Sequence, residues 1–397
     1  MQHGRIIGLK IDGYIQVRGT MATTATESMK IVCDRTALVD ALTLASSVVM
    51  SRTTVPVLVC VKLTATDGTL RVEATDQDIR LALTLPSVQV HTDGEALIPA
   101  DKFAQIVRSC DDSTLSIELE KHVACVKGED AKFRIFGYDP KEYPGDREGA
   151  ELPTEFEVSA GVLRRMIART VFSTAADNTR YAFNGVLLER KGRKLRMVAT
   201  DGRRLALVRG ECSGPADGDA TCIIPTKALN VLNRLLDDPE AAVRVARDRT
   251  RISFTVGESA TLVSALIEGS FPPFDDVLPK DHDRRGTFDT SELAAAVKRA
   301  ALLTNEESRG VRMAFGPTGV VISSRAAEMG DAEIHLPALS WEGETVEIGF
   351  NPGFITDVLR IADTTEVTFE LKAPNRPGVI RIGAEFLYVI MPVNLAS

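Results

Sequence analysis

Three segments of this chain repeat one order of signals at the spacing of a whole small domain. No other feature of the sequence limits the fold as strongly. The first segment reads Val-Glu-Ala-Thr-Asp at 72–76, then Leu-Ile-Pro-Ala at 97–100. The second reads Met-Val-Ala-Thr-Asp at 197–201, then Ile-Ile-Pro-Thr at 223–226. The third reads Val-Ile-Ser-Ser at 321–324, then Gly-Phe-Asn-Pro at 349–352. Pro99, Pro225 and Pro352 are spaced by 126 and 127 residues. That period exceeds the roughly 20–50 residues of a solenoid repeat and suits an independent core. Setting residues 1–28 aside as an extension expected to be disordered leaves 123 residues per unit. We therefore expect three domains of one fold, at 29–150, 151–279 and 280–397.

Each unit carries two helical stripes. In the first, Leu38, Ala41, Leu42, Ala45 and Val49 follow Asp34, and Phe103, Ile106, Val107 and Cys110 follow Pro99. The second gives Leu163, Met166, Ile167 and Val171 after Ser159, then Leu229, Leu232, Leu235 and Leu236 after Pro225. In the third, Leu293, Ala296, Val297 and Ala300 follow Thr290, and Phe354, Ile355, Val358 and Leu359 follow Pro352. The i, i+3, i+4 spacing buries one face, and capping residues with proline at the first helical position mark the starts. Alternating stretches at 57–63, 70–74, 115–119, 186–189, 251–256 and 367–371 predict strands. Turns are expected at Asp67-Gly68, Lys191-Gly192 and Gly316 to Gly319, at equivalent places in the three units. The expected class is α+β, with two helices and about eight short strands per unit.

Charge is distributed unevenly between these elements. The whole chain carries a net charge of -8, which by itself argues against nucleic-acid binding. The six helical windows, 34–50, 99–110, 159–173, 225–238, 290–304 and 351–363, hold 11 Lys and Arg against 8 Asp and Glu. The remainder holds 36 against 47. Arg164, Arg165 and Arg169 share one window with no acid, and Lys102, Lys227, Lys298 and Arg360 continue the bias. Solvated helix faces also carry such residues, so the offset matters because it recurs in three units.

No phosphate-binding glycine loop, zinc-protease motif or nucleophile elbow is present. Six cysteines without a CxxC pair and five scattered histidines fit reduced cytosolic thiols better than a metal site. The longest apolar runs are shorter than the 18 or so residues of a membrane span. Asp76 and Asp201 end the Ala-Thr-Asp motifs and read as Asx turns. The pairs Asp111-Asp112, Asp237-Asp238 and Asp275-Asp276 leave a metal-dependent nuclease as an alternative. An acidic three-domain scaffold without DNA is another.

The octapeptide from Ala199 to Ala206, Ala-Thr-Asp-Gly-Arg-Arg-Leu-Ala, closely resembles a signature of the bacterial DNA polymerase III beta subunit (sliding clamp) family. Collinear matches are Arg180-Tyr181 with Asn184-Gly185, Gly269 to Pro272, Thr304 to Glu306 with Arg309 to Arg312, Gly349 to Asn351, and Tyr388 to Pro392. They extend over residues 29–395. Departures are the extension before Met29 (with Met21 or Met29 as candidate starts), Arg203 in place of a frequent His, Ala182 in place of an aromatic, and Asn394 in place of an Arg. Ala396 and Ser397 lengthen the tail.

The resemblance implies a cytoplasmic, non-catalytic processivity factor that needs no cofactor. It implies a head-to-tail homodimer of repeated clamp domains, ringed around duplex DNA and serving the polymerase III alpha subunit, the clamp loader and other clamp-motif proteins. Elementary geometry agrees. Twelve helices side by side at about 8–10 Å enclose a hole of roughly 21–28 Å, wide enough for a duplex of about 20 Å. Arg52 matches a family position near DNA, and Tyr181 belongs to a matching motif. Lys102, Arg164, Arg165, Lys227 and Lys298 are the further expected phosphate contacts. By resemblance, the subunit joint uses Phe133 and Ile135 against Leu302 and Leu303, with Lys132 and Arg134 facing Glu328, Asp331 and Glu333. A partner-peptide groove is expected from Phe183, Thr200, Gly202, Arg204, Leu205, Pro272 and Val277 together with Val389, Ile390, Met391, Pro392 and Val393. Arg204 would hydrogen-bond peptide carbonyls.

Overall fold

The computed structural model describes residues 28–50, 52–145, 152–175, 181–215, 217–304, 310–326 and 329–394, with only the backbone described at Tyr181. The extension at 1–27 and the motif residues Arg180, Asn305, Glu306, Arg309, Glu328 and Leu395 lie outside them.

Among the described residues six α-helices occur in three pairs: α1 (Arg35–Ser46) on α2 (Ala100–Ser109), α3 (Ala160–Ala168) on α4 (Thr226–Asn233), and α5 (Thr290–Ala301) on α6 (Pro352–Arg360). Asp34, Ser159, Asp289 and Asn351 cap four of them by accepting hydrogen bonds from first-turn amides. The helices are shorter than expected, so Val49, Val171, Leu235 and Leu236 fall beyond their ends. Pro352 is the first residue of α6, whereas Pro99 and Pro225 end strands and occupy the cap position without a side-chain bond. The expected strand at 57–63 begins late, because Pro56 starts a 3-10 turn over Pro56–Val59 and the strand runs Cys60–Thr66. The other expected strands are present.

The sheets cross the unit boundaries. An eight-stranded sheet joins four strands of the second unit to four of the first, through Ala260–Ala265 paired antiparallel with Ile79–Leu85. A nine-stranded sheet joins four strands of the second unit to five of the third, through Arg204–Glu211 paired with Phe386–Ile390. Both joints set the last strand of one unit against the strand that follows the Ala-Thr-Asp motif in the unit before it. The two remaining sheets are not extended in this way. A five-stranded sheet of the first unit ends on Lys132–Phe136, and a four-stranded sheet of the third ends on Gly330–Leu336.

Threefold equivalence extends to single hydrogen bonds. The amides of Tyr138, Ile267 and Val393, each two or three residues past a last strand, donate to the carbonyls of Leu97, Ile223 and Gly349 at 3.0, 2.9 and 2.9 Å. Helices and sheets enclose one continuous apolar core that runs through all three units, from Met29 and Phe103 to Phe369 and Ile390.

All six cysteines are free, and five are buried; burial pushes the thiols of Cys33, Cys60 and Cys222 up to about 12. Thiolate is the reactive form, so these groups are inert at neutral pH. A thiol reagent at pH 8 should therefore modify the half-buried Cys125 first and leave Cys33, Cys60 and Cys222 unmodified until unfolding. Mass-spectrometric mapping of the labelled positions checks this order.

Candidate functional site

The Ala-Thr-Asp motif builds the same turn twice. Thr75 Oγ1 donates to Ile79 O at 2.8 Å and accepts from Gln77 N at 3.1 Å. Thr200 Oγ1 donates to Arg204 O at 2.6 Å and accepts from Gly202 N at 3.0 Å. The middle residue has positive φ in both turns, +83° at Gln77 and +85° at Gly202, a conformation glycine adopts without strain. Asp76 and Asp201 form the expected Asx turns with one carboxylate oxygen, at 2.7 Å from Ile79 N and 3.0 Å from Arg204 N. The second oxygen of each binds a cation beside the unit joint. Asp76 takes Lys227 Nζ at 2.5 Å across the first joint. Asp201 takes Arg204 Nε at 3.0 Å, and Arg204 Nη1 reaches Asp357 on α6 at 2.7 Å across the second.

Side-chain chemistry on the outer sheet face distinguishes the two joints. At the first, Glu73 lies 3.4 Å from Arg71 and 3.8 Å from Arg80, and Arg80 also holds the carbonyls of Pro144 and Gly145. At the second, Val198 and Leu205 stand in the positions of Glu73 and Arg80. They form an apolar cluster with Leu187, Leu207, Ile223, Val379, Leu387 and Val389. The segment over 266–279 covers part of this cluster with Phe271, Phe274 and Leu278. Arg196 fastens that segment: its guanidinium lies 5.0 Å over the Phe274 ring and pairs with Asp275 at 3.2 Å.

Two clefts flank this segment. One, of about 460 Å³, is lined by Val277, Leu278, Pro377 and Met391. The other, of about 840 Å³, is lined by Pro272, Phe271, Ile267, Arg247 and Arg249. Asp275 and Asp276 border both. Val277 and Met391 are exposed at 48% and 40%, so apolar surface is open to solvent here. Strand pairing sets Arg204 opposite Ile390 and Leu205 opposite Val389, and Met391 N donates to Arg203 O at 2.9 Å. The structure thus brings the Ala-Thr-Asp-Gly turn and the C-terminal run together, with Phe183 3.8 Å from where a side chain on Gly202 would begin.

Several expected roles change. Leu205 and Val389 are buried beneath the covering segment, and Ile390 points to the opposite face, into the main core. Thr200 is 7% exposed and its hydroxyl is committed to the turn. Arg204 is not a free donor, because all three of its guanidinium nitrogens are engaged, by Asp201, Asp357 and Phe172 O. Pro392 and Val393 are half-buried beside the exposed Met391.

The helices are more polarised than the windows suggested, with nine Lys and Arg against four Asp and Glu. Arg52, Lys102, Arg164 and Lys298 are exposed without a carboxylate partner among the described residues; Arg164 donates only to Leu236 O, at 3.2 Å. Lys227 is held by Asp76 and Val48 O, and Arg165 lies 3.7 Å from Glu385, so both serve the unit joints as well. The side chain of Tyr181 lies outside the described residues.

At the chain's open sheet edges, Ile135 is buried and Phe133 is half-buried against the core, because alternation turns both inward. Leu302 is 76% exposed and Leu303 half-buried. Phe136, exposed at 78%, was missed, although it continues the outward alternation of Lys132 and Arg134. Of the residues that hold Arg204 in place, Asp357 and Phe172 carried no signal of their own in the sequence, and Phe354 and Tyr388 were legible only as part of a helical stripe and of the C-terminal motif.

Three family descriptions match the chain in order: DNA polymerase III beta subunit N-terminal domain over 29–146, central domain over 157–273 and C-terminal domain over 275–394. The beta sliding clamp of Pseudomonas putida is 33% identical over 371 residues, covering 92% of this chain and all of the relative. That of Escherichia coli K12 is 31% identical over 373 residues, with the same coverage. Among solved structures, sliding clamps from Pseudomonas aeruginosa and Bartonella birtlesii superpose with TM-scores of 0.86 and 0.87 at 32% and 30% identity, each covering 93% of this chain and all of the other. With all three domains matched in sequence and in fold, the chain belongs to the bacterial beta sliding clamp family, the beta subunit of DNA polymerase III.

Proposed function

We propose that two copies of this chain close head to tail into a cytoplasmic ring that encircles duplex DNA and tethers the replicative polymerase, its loader and other partners, without catalysing a reaction. The domains of the ring run 29–150, 151–279 and 280–397. The observation that carries this reading is the order of the sheets. The nine-stranded sheet is five strands of one unit joined to four of another, and the chain leaves a five-stranded and a four-stranded sheet over. Pairing Lys132–Phe136 of one copy with Gly330–Leu336 of the other makes two more nine-stranded sheets and leaves no open edge at the joint.

Surface chemistry supports that pairing. Lys132, Arg134 and Phe136 project from one edge strand, and Asp331, Glu333 and His335 from the other. Antiparallel neighbours of opposite charge on one face attract. Phe136 is the positional counterpart of Met391 and Ala265, which lie two residues before Val393 and Ile267. Their amides bond the carbonyls of Arg203 and Asp78, in the turns after the two Ala-Thr-Asp motifs. The Phe136 amide then meets the partner's turn beside the exposed Met329.

A ring holds DNA by topology, so its phosphate contacts can be weak and indifferent to sequence. Arg52, Lys102, Arg164 and Lys298 supply such contacts, while the acidic remainder keeps the outer surface off DNA. The groove at the second joint takes an extended peptide with apolar anchors against Val277 and Met391, a thioether side chain that adapts to differing partners.

Retention of the full-length protein on circular but not on linear duplex is the direct test; equal retention on both would rule out a ring. Phe136→Glu with Leu302→Ala should convert the dimer into a folded monomer in sedimentation velocity, and a persistent dimer would place the joint elsewhere. Lys102→Glu with Lys298→Glu should make the log-log salt dependence of DNA binding shallower by roughly one per lost phosphate contact. Val277→Asp with Met391→Ser should weaken binding of a Gln- and Leu-containing clamp-motif peptide about tenfold or more while the dimer persists, as read by fluorescence anisotropy.

A further inference from the structure

Asp357, on the solvent side of α6, is shared between two cations of different surroundings. Its Oδ2 accepts from Arg204 Nη1 at 2.7 Å and its Oδ1 from Arg360 Nη2 at 2.9 Å. The Arg204 side chain is 10% exposed and that of Arg360 68%. Arg204 belongs to the groove: its carbonyl closes the Thr200 turn, and its backbone pairs with Ile390 immediately before Met391. Its guanidinium lies 4.4 Å over Phe354 of α6 and donates at 2.7 Å to the carbonyl of Phe172, in the turn that follows α3. One side chain therefore ties the groove turn to the elements after α3 and on α6, both on the helical side of the sheet.

We propose that Asp357 is a positioning residue of the peptide groove, acting through Arg204, and that Arg360 competes for its charge, so that the groove tightens when DNA phosphate draws Arg360 away. This rests on the groove and ring readings above. Arg360 sits on a helix that would face the DNA, and its pair with Asp357 is exposed and weak. The Arg204 pair is largely buried, so its loss would leave a poorly solvated guanidinium and loosen the turn it holds. A phosphate that engages Arg360 leaves the carboxylate to Arg204 alone. Linkage then requires the reciprocal effect, that bound peptide strengthens the hold on DNA.

The test is anisotropy of a fluorescein-labelled, Gln- and Leu-containing clamp-motif peptide on the full-length dimer, alone and assembled around a duplex blocked at both ends. Asp357→Asn should weaken the peptide about tenfold with the dimer retained, and Asp357→Glu should recover most of that loss. DNA should tighten the peptide about twofold on the unmodified protein. Arg360→Gln should reproduce that gain without DNA and abolish the further response to it. Unchanged peptide affinity in Asp357→Asn, or a loss that Asp357→Glu does not restore, overturns the positioning role. An equal DNA response in Arg360→Gln overturns the competition. Failure of the unmodified protein to bind the peptide removes the groove reading itself, a distinct result.

Discussion

Backbone hydrogen bonding at strand edges is the constraint from which this architecture follows. An edge strand presents a row of unpaired amides and carbonyls, and a small domain built from two sheets has several such edges. This chain resolves some of them by making two of the four sheets among the described residues the common property of two units. The joints between units are therefore main-chain ladders, Ala260–Ala265 on Ile79–Leu85 and Arg204–Glu211 on Phe386–Ile390. A ladder demands only two extended strands in register, which explains how units with so little side-chain identity can join in one geometry. It also leaves one edge strand in the first unit, Lys132–Phe136, and one in the third, Gly330–Leu336, for the proposed third joint of the same kind.

With the backbone geometry common to both internal joints, side chains are left to make them different. Glu73 and Arg80 close the outer face of the first with ion pairs, and Val198 and Leu205 leave the second apolar. An apolar face with a mobile-sided thioether at its margin suits extended peptides, whereas a neutralised polar face offers them little. The cations divide in the same manner. Lys227 and Arg204 are consumed in holding units together, and Lys102 and Lys298 are left to the solvent. A net negative charge is thus compatible with a positively biased helical surface, because the two signs occupy different layers.

The number of units, the helix starts at Asp34, Ser159 and Pro352, the strand alternation and the Asx turns at Asp76 and Asp201 were all legible in the sequence, since each depends on interactions within a few residues. Periodicity also placed Phe133 and Ile135 on one face, while Phe136 was missed. It could not say which face the core would occupy, because that depends on what packs above and below the strand. For the same reason Ile390 and Val389 were grouped together although they serve opposite faces of one sheet. The sequence by itself determined the local geometry and the threefold repetition. Only the tertiary structure decided which edges meet, which apolar residues remain exposed and which cations are neutralised, because a charge is paired by distance in space, and Arg204 and Asp357 lie 153 positions apart in the chain.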